Sequence, residues 1–154
     1  MQAAYGVPYL TTQISTQPEQ VTTVKLLIDT GYRGPVSLTP DSHDEIDEPA
    51  EFFILVSQGI SGAITSHVGS SEFLSLGNST LRSVPVSYAV AGGDIDDDNN
   101  GLIGSEILSR FNVIFDYPSE RMFITPKQLY AVPITAERSG LLVRFYRIRG
   151  GRCH

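Results

Sequence analysis

The chain has 154 residues, a formal net charge of −6 and a single cysteine. A chain of this length predicts one domain that buries about two thirds of its unfolded surface, and one cysteine excludes an intrachain disulfide. The negative charge argues against a nucleic-acid-binding surface, which needs a basic face. No apolar run approaches the roughly 18 residues of a membrane span, so we expect a soluble protein without one.

The composition favours β-structure. The sequence contains 14 glycines and 9 prolines and few long patterns with helical spacing, which indicates short strands joined by turns. Residues 5–14 predict a first strand, residues 15–20 a turn, and residues 21–28 a second strand. The chain as given lacks the basic-then-apolar pattern of a secretory signal, and the compartment, cytoplasmic or periplasmic, stays open.

A carboxylate directly follows the second predicted strand. The apolar run Val24–Ile28 stops at Asp29, and we expect Gly31 and Gly34 to let the backbone turn sharply. A carboxylate in apolar surroundings either finds hydrogen-bond donors or shares a proton with a second acid. Asp29 is therefore a candidate catalytic residue, with Thr30 and Gly31 in the loop around it. The same three residue types are also common at ordinary strand-to-turn junctions.

A glycine-bearing hairpin is predicted after an acidic segment. Residues 41–51 carry six carboxylates and are expected to form an exposed loop or short helix, with a cation or a basic partner as the alternative. Residues 52–56 then predict an apolar strand. Gly59-Ile60-Ser61-Gly62 follows, and an apolar residue between glycines is typical of a mobile hairpin tip. The alternative interpretation is an ordinary hairpin turn.

Two features that could bind a metal lack the necessary pattern. His43 and His67 have no metal-ligand spacing to each other or to the cysteine, so both are expected at the surface. The acidic residues 94–98 are spaced as in a calcium loop, but Asn99 replaces the required glycine and Ser105 the closing glutamate. We therefore expect a solvated loop, with calcium binding as a remaining alternative, and predict neither a metal nor a cofactor.

A second motif lies downstream of Asp29. Gly101-Leu102-Ile103-Gly104 precedes a helix-like segment, residues 105–111, and a hairpin predicted over residues 112–124. Together with Asp29-Thr30-Gly31, this motif resembles the retropepsin-like (retroviral-type) aspartic protease family, and the hairpin is similar to that of its bacterial members. The resemblance covers residues 21–126.

The resemblance implies an all-β fold, a retropepsin-like acid-protease β-barrel with one short helix, acting as a homodimer. It implies aspartic endopeptidase activity on a peptide or protein substrate. In this family Leu102-Ile103-Gly104 supports the catalytic loop, and Gly59-Ile60-Ser61-Gly62 corresponds to the flap over the substrate. The position of Thr30 corresponds to a residue that bonds across the dimer interface, and that of Gly31 to one that leaves room for water and substrate.

The chemistry of this family requires two carboxylates. One is ionised and activates a water molecule, while the other is protonated and polarises the scissile carbonyl, so the pair titrates as a unit. The chain contains a single Asp-Thr-Gly and is too short for two lobes. The resemblance therefore implies that a two-fold homodimer supplies the second Asp29.

The sequence departs from the retroviral pattern at Tyr32, where Ala or Ser is usual. An aromatic residue with Gly34 two positions later is similar to small bacterial and archaeal relatives. Tyr32 is expected to narrow the cleft or alter dimer geometry, which leaves a non-catalytic binding or scaffold module as the alternative function. We predict a protease domain over residues 1–130. Residues 131–154 are either a strand of the dimer sheet or a linker to a further, PDZ-like domain.

Overall fold

The computed structural model describes residues 1–4, 6–40, 42–49, 51–59, 62–91 and 99–135. Within these ranges the chain is mostly β, with one short α-helix and one 3-10 helix. The strands are β1 (Gln2–Ala4), β2 (Val7–Gln17), β3 (Gln20–Ile28), β4 (Val36–Leu38), β5 (Phe53–Gly59), β6 (Gly62–Ser70), β7 (Phe73–Leu76), β8 (Ser79–Arg82), β9 (Pro85–Ala91), β10 (Gly101–Ile103), β11 (Phe111–Asp116) and β12 (Arg121–Pro126). The helix α1 is Ser105–Leu108, and the 3-10 helix is Gln128–Ala131.

Ten of the described strands form one sheet. Its order is β5-β6-β9-β4-β10-β3-β2-β7-β8, with β1 paired to β2, while β11 and β12 form a separate two-stranded sheet. The prediction of a closed barrel was wrong, because the sheet is not closed. Closure requires the two outer strands to pair with each other, whereas β5 pairs with β6 and β8 pairs with β7 among the described residues. The sheet therefore stays open.

The strand that leads to Asp29 is buried along one face. In β3 the residues Thr22, Val24, Leu26 and Ile28 are all buried, and the residues between them are more exposed. This alternation follows from the two-residue period of a strand, and it confirms the strand predicted over residues 21–28. The same core contains residues from both ends of the described chain, including Ile14 and Ile134.

The second motif lies next to β3. Strand β10 runs parallel to β3, with Ile103 opposite Ile28, and antiparallel to β4. Gly101 has a φ of 146°, and a Cβ there would collide with the Ser37 carbonyl oxygen, so a larger residue would be strained. Asn100 extends the pairing, because its Oδ1 accepts a 2.8 Å hydrogen bond from the backbone N–H of Lys25.

A buried arginine connects α1 with the end of the described chain. Arg110 is 0% exposed. Its Nε donates to the Glu106 carbonyl at 3.1 Å and its Nη2 to Glu106 Oε1 at 2.9 Å. Its Nη1 donates to the carbonyls of Leu129, at 2.8 Å, and Val132. Because every one of these donors has an acceptor, the charge is accommodated inside the core.

The other predicted elements are found with changed limits. The helix after Gly104 and the hairpin β11–β12 are confirmed. Strands β7 and β8 form a further hairpin around Gly77-Asn78. His67 is more tightly held than a free surface residue, since its Nδ1 lies 2.8 Å from Glu48 Oε2 and its ring stacks on Phe52. The acidic residues 94–98 and the segment 136–154 lie outside the described residues. The domain limit at residue 130 stays a prediction.

The described residues contain no helix that is long and apolar enough to cross a membrane.

Candidate active site

Asp29 lies at the junction between β3 and β10. Its backbone N–H donates a 3.0 Å hydrogen bond to the carbonyl of Ile103. This bond continues the parallel pairing one residue past Ile28, so the start of the loop is fixed by the sheet. The Asp29 side chain is partly buried. The sheet thus holds a single carboxylate at the carboxyl end of two parallel strands.

The carboxylate is oriented by its own loop. Asp29 Oδ1 accepts hydrogen bonds from the backbone N–H of Gly31 at 2.8 Å and of Tyr32 at 3.2 Å. An aspartate that accepts from N–H groups two and three residues later stabilises a tight turn. Within the described part of the chain, both of these donors bind Oδ1. Oδ2 accepts no hydrogen bond from the described residues.

Thr30 and Gly31 lie at the exposed outside of this loop. The backbone bends at Gly31 and at Gly34, as expected, and neither glycine has a positive φ. Gly31 leaves space beside the Asp29 carboxylate, because a Cβ at this position would lie 3.2 Å from Asp29 Oδ1, which is a tight contact. A side chain at this position would therefore press on the carboxylate.

Tyr32 packs inward from the same loop. Its phenolic oxygen lies 3.1 Å from Ser87 Oγ in β9, and its ring covers Gly34 and Gly104 so closely that a Cβ at either glycine would collide with it. Burial raises the pKa of Tyr32, and the hydrogen bond to Ser87 only partly offsets this effect. A neutral phenol can donate or accept a hydrogen bond.

The end of the second motif is hydrogen-bonded to the Asp29 loop. The Gly104 backbone N–H donates to the Pro35 carbonyl at 2.9 Å. The Tyr32 carbonyl accepts from Ser105 twice, from its N–H at 2.8 Å and from its hydroxyl at 2.9 Å. Ile103 is fully buried and Leu102 partly buried. The structure therefore brings the two predicted motifs into direct contact.

The predicted flap residues belong to a different part of the sheet. Gly59 and Gly62 are opposite each other at the end of the β5–β6 hairpin, and Gly62 has a φ of 128°. Strands β9, β4 and β10 lie between β6 and β3 in the sheet order. Ile60 and Ser61 lie outside the described residues.

Sequence reasoning missed two partners of the loop. Ser105 follows the glycine of the second motif directly, and its position could have suggested a contact with the first. Ser87 has no such signal, because it lies in an ordinary strand and meets Tyr32 only through the parallel pairing of β4 with β9.

Comparison with known proteins supports the fold. Neither a family model nor a curated protein matches the chain. A retropepsin-like aspartic protease from Rickettsia conorii, known from its crystal structure, superposes with a TM-score of 0.51 at 15% sequence identity. The match covers 80% of this chain and 93% of that one. At this identity the likeness concerns the fold alone, and the chain therefore has a retropepsin-like fold.

Proposed function

We propose that the protein is an aspartic endopeptidase. The observation that carries the proposal is the Asp29 carboxylate, which two backbone N–H groups hold by one oxygen at the end of β3. Its position on a retropepsin-like fold supports peptide-bond hydrolysis as the reaction. The substrate class is a peptide or protein, and Gly31 keeps the space beside the carboxylate free of a side chain.

In the proposed mechanism, two Asp29 carboxylates share one proton. The ionised carboxylate accepts a proton from a water molecule as the water oxygen attacks the scissile carbonyl carbon. The protonated carboxyl gives its proton to the carbonyl oxygen, which forms a tetrahedral diol. The carboxyl that took the proton from water then gives it to the leaving nitrogen as the C–N bond breaks, and the other carboxylate takes back a proton from the diol as the new carboxyl group forms. Because the loop of residues 29–35 contains one carboxylate, the second comes from another copy of the chain.

Two further roles follow from the proposed dimer. Thr30 is exposed beside Asp29, where its hydroxyl would bond to the partner's loop. The Gly59–Gly62 end of the β5–β6 hairpin would close over the substrate and exclude water. The left-handed φ of Gly62 is compatible with such a tip, and no atom of the described residues beyond its chain neighbours lies within 4 Å of a Cβ placed there.

The proposal is tested with Asp29→Asn. An amide cannot provide the ionised member of the pair, so we expect cleavage of a mixed peptide library to disappear while the melting temperature changes little. The assay runs from mildly acid to neutral pH. Asp44→Asn is the matched control, since Asp44 is exposed in the segment of residues 42–49, and it should cleave like the wild type. A folded Asp29→Asn variant with wild-type rates would refute the assignment.

The alternative is a retropepsin-fold binding or scaffold module without proteolysis. It was motivated by the bulky Tyr32, and the packing of this ring over Gly34 and Gly104 accounts for the aromatic residue without requiring an inactive site. The two functions differ in one measurement. The scaffold alternative expects a folded wild type that cleaves no peptide of the library and a biological role that Asp29→Asn leaves intact.

A further inference from the structure

Tyr32 connects the carboxylate loop with two other elements. Its backbone N–H donates to Asp29 Oδ1, its carbonyl accepts both bonds from Ser105 at the start of α1, and its phenol meets Ser87 in β9. One residue therefore contacts the candidate catalytic side chain through its main chain and the middle of the sheet through its side chain.

The far end of this connection is rigid. Ser87 pairs with Ser37 of β4 on one side and with Val68 of β6 on the other. A serine between two paired neighbours has little freedom, because strand pairing fixes its backbone and only its hydroxyl can rotate. The phenol of Tyr32 is thus anchored to an inner strand of the sheet.

The ring itself has little room to move. It lies against the backbone of Gly34 and Gly104, where there is no space even for a methyl group. Because the packed ring cannot shift independently of its own backbone, we expect a change at the phenol oxygen to reach the Tyr32 backbone. The backbone N–H that moves with it is the one that holds Asp29 Oδ1.

We propose that Tyr32 is a positioning residue, whose phenol, anchored on Ser87, sets the orientation of the Asp29 carboxylate. The proposal rests on the proposed protease function. If the Asp29 carboxylate is misoriented by a fraction of an ångström, the rest of the cleft still binds the substrate. The carboxylate then activates water less well. The Tyr32–Ser87 contact should therefore affect turnover more than substrate binding.

The test is a double-mutant cycle with Tyr32→Phe, Ser87→Ala and the double variant. We expect each single variant to lower kcat about tenfold with KM changed less than about twofold, because one hydrogen bond contributes roughly this factor. The double variant should be no slower than either single variant, since both remove the same contact. Losses that multiply, or a kcat equal to that of the wild type, would overturn the proposal.

Tyr88→Phe is the matched control. Tyr88 is the residue after Ser87, is 2% exposed, and uses its hydroxyl in a hydrogen bond with Thr16 rather than with the Asp29 loop. Loss of the Tyr88 hydroxyl should lower the melting temperature and leave kcat unchanged. An equal loss of kcat in Tyr88→Phe would assign the effect of Tyr32 to general stability and contradict the proposal.

A second readout does not depend on proteolysis. Hydrogen exchange of the Gly31 and Tyr32 amides reports on their bonds to Asp29, and we expect about tenfold faster exchange in Tyr32→Phe but not in Tyr88→Phe. Unchanged exchange would refute the positioning role even if the wild type cleaves peptides. If the wild type cleaves no peptide but the two amides exchange faster in Tyr32→Phe, the positioning role is upheld and the protease function is rejected instead.

Discussion

Gly104 is the residue on which the geometry of the carboxylate loop depends most directly. A Cβ at this position would collide with the Gly34 carbonyl oxygen and with the ring and carbonyl of Tyr32. Two of these obstacles are backbone atoms, which cannot move without shifting the Asp29 loop. The absence of a side chain at Gly104 therefore allows the two motifs to touch.

We expect Gly104→Ala to destabilise the protein by about 1–3 kcal/mol, the usual cost of forcing an extra methyl group into a packed site. The free energy of unfolding is measured in urea. Ser109→Ala is a control from the same segment, because Ser109 is exposed, and it should stay within about 0.5 kcal/mol of the wild type. A Gly104→Ala protein as stable as that control would show that the loop can relax.

Residues that stand at a recognisable point of the local sequence pattern could be identified in advance. Contacts between residues far apart in the sequence could not. Asp29 ends an apolar run, and Gly104 ends a short apolar strand, so each is visible in the sequence. That Tyr32 narrows the cleft or alters dimer geometry stays a prediction, whereas the packing of its ring on two glycines and on Ser87 was not foreseen. That contact joins residues 55 positions apart, and no local pattern encodes it.

At the scale of elements, Arg110 is the connection between α1 and the 3-10 helix. The helix α1 has only four residues, too few to be stable without tertiary contacts. The guanidinium supplies such contacts, because it bonds to Glu106 within the helix and to the carbonyls of Leu129 and Val132 beyond it. The position of α1 under the Asp29 loop thus depends on a buried charge.

We expect Arg110→Met to cost about 3–5 kcal/mol, because the methionine leaves the partly buried Glu106 carboxylate and the carbonyls of Leu129 and Val132 without their donor. Arg110→Lys keeps the charge but lacks the planar fork, so it should recover only part of the loss. Unfolding in urea measures both variants. Arg121→Met serves as the control, since Arg121 is exposed in β12. A loss below about 1 kcal/mol in Arg110→Met would contradict this role.

The strands were the most predictable elements and their assembly the least. Two-residue alternation marks β3, and the Gly77-Asn78 pair marks the turn between β7 and β8, so both follow from local sequence. The expected barrel came from the family resemblance. Whether the two outer strands pair is decided by contacts between segments that are far apart in sequence, and periodicity carries no information about them.

For the whole molecule, the sheet presents open edges at β5 and β8 among its described strands, and the site contains one carboxylate per chain. An edge strand offers unpaired N–H and C=O groups to another chain. These features are compatible with self-association, and the proposed chemistry requires it.

If the active protein is a homodimer, its specific activity falls on dilution, because each monomer carries half of the catalytic pair. We expect activity per chain to decline through the dissociation constant that sedimentation gives over the same concentrations. Because two-fold symmetry repeats the Thr30 bond in each subunit, Thr30→Ala removes two hydrogen bonds and should raise that constant by about a hundredfold, with little change in monomer stability. Thr23→Ala is the control, since Thr23 is an exposed threonine of β3, an inner strand of the sheet. Constant specific activity in a protein that sediments as a monomer throughout would rule out the shared site.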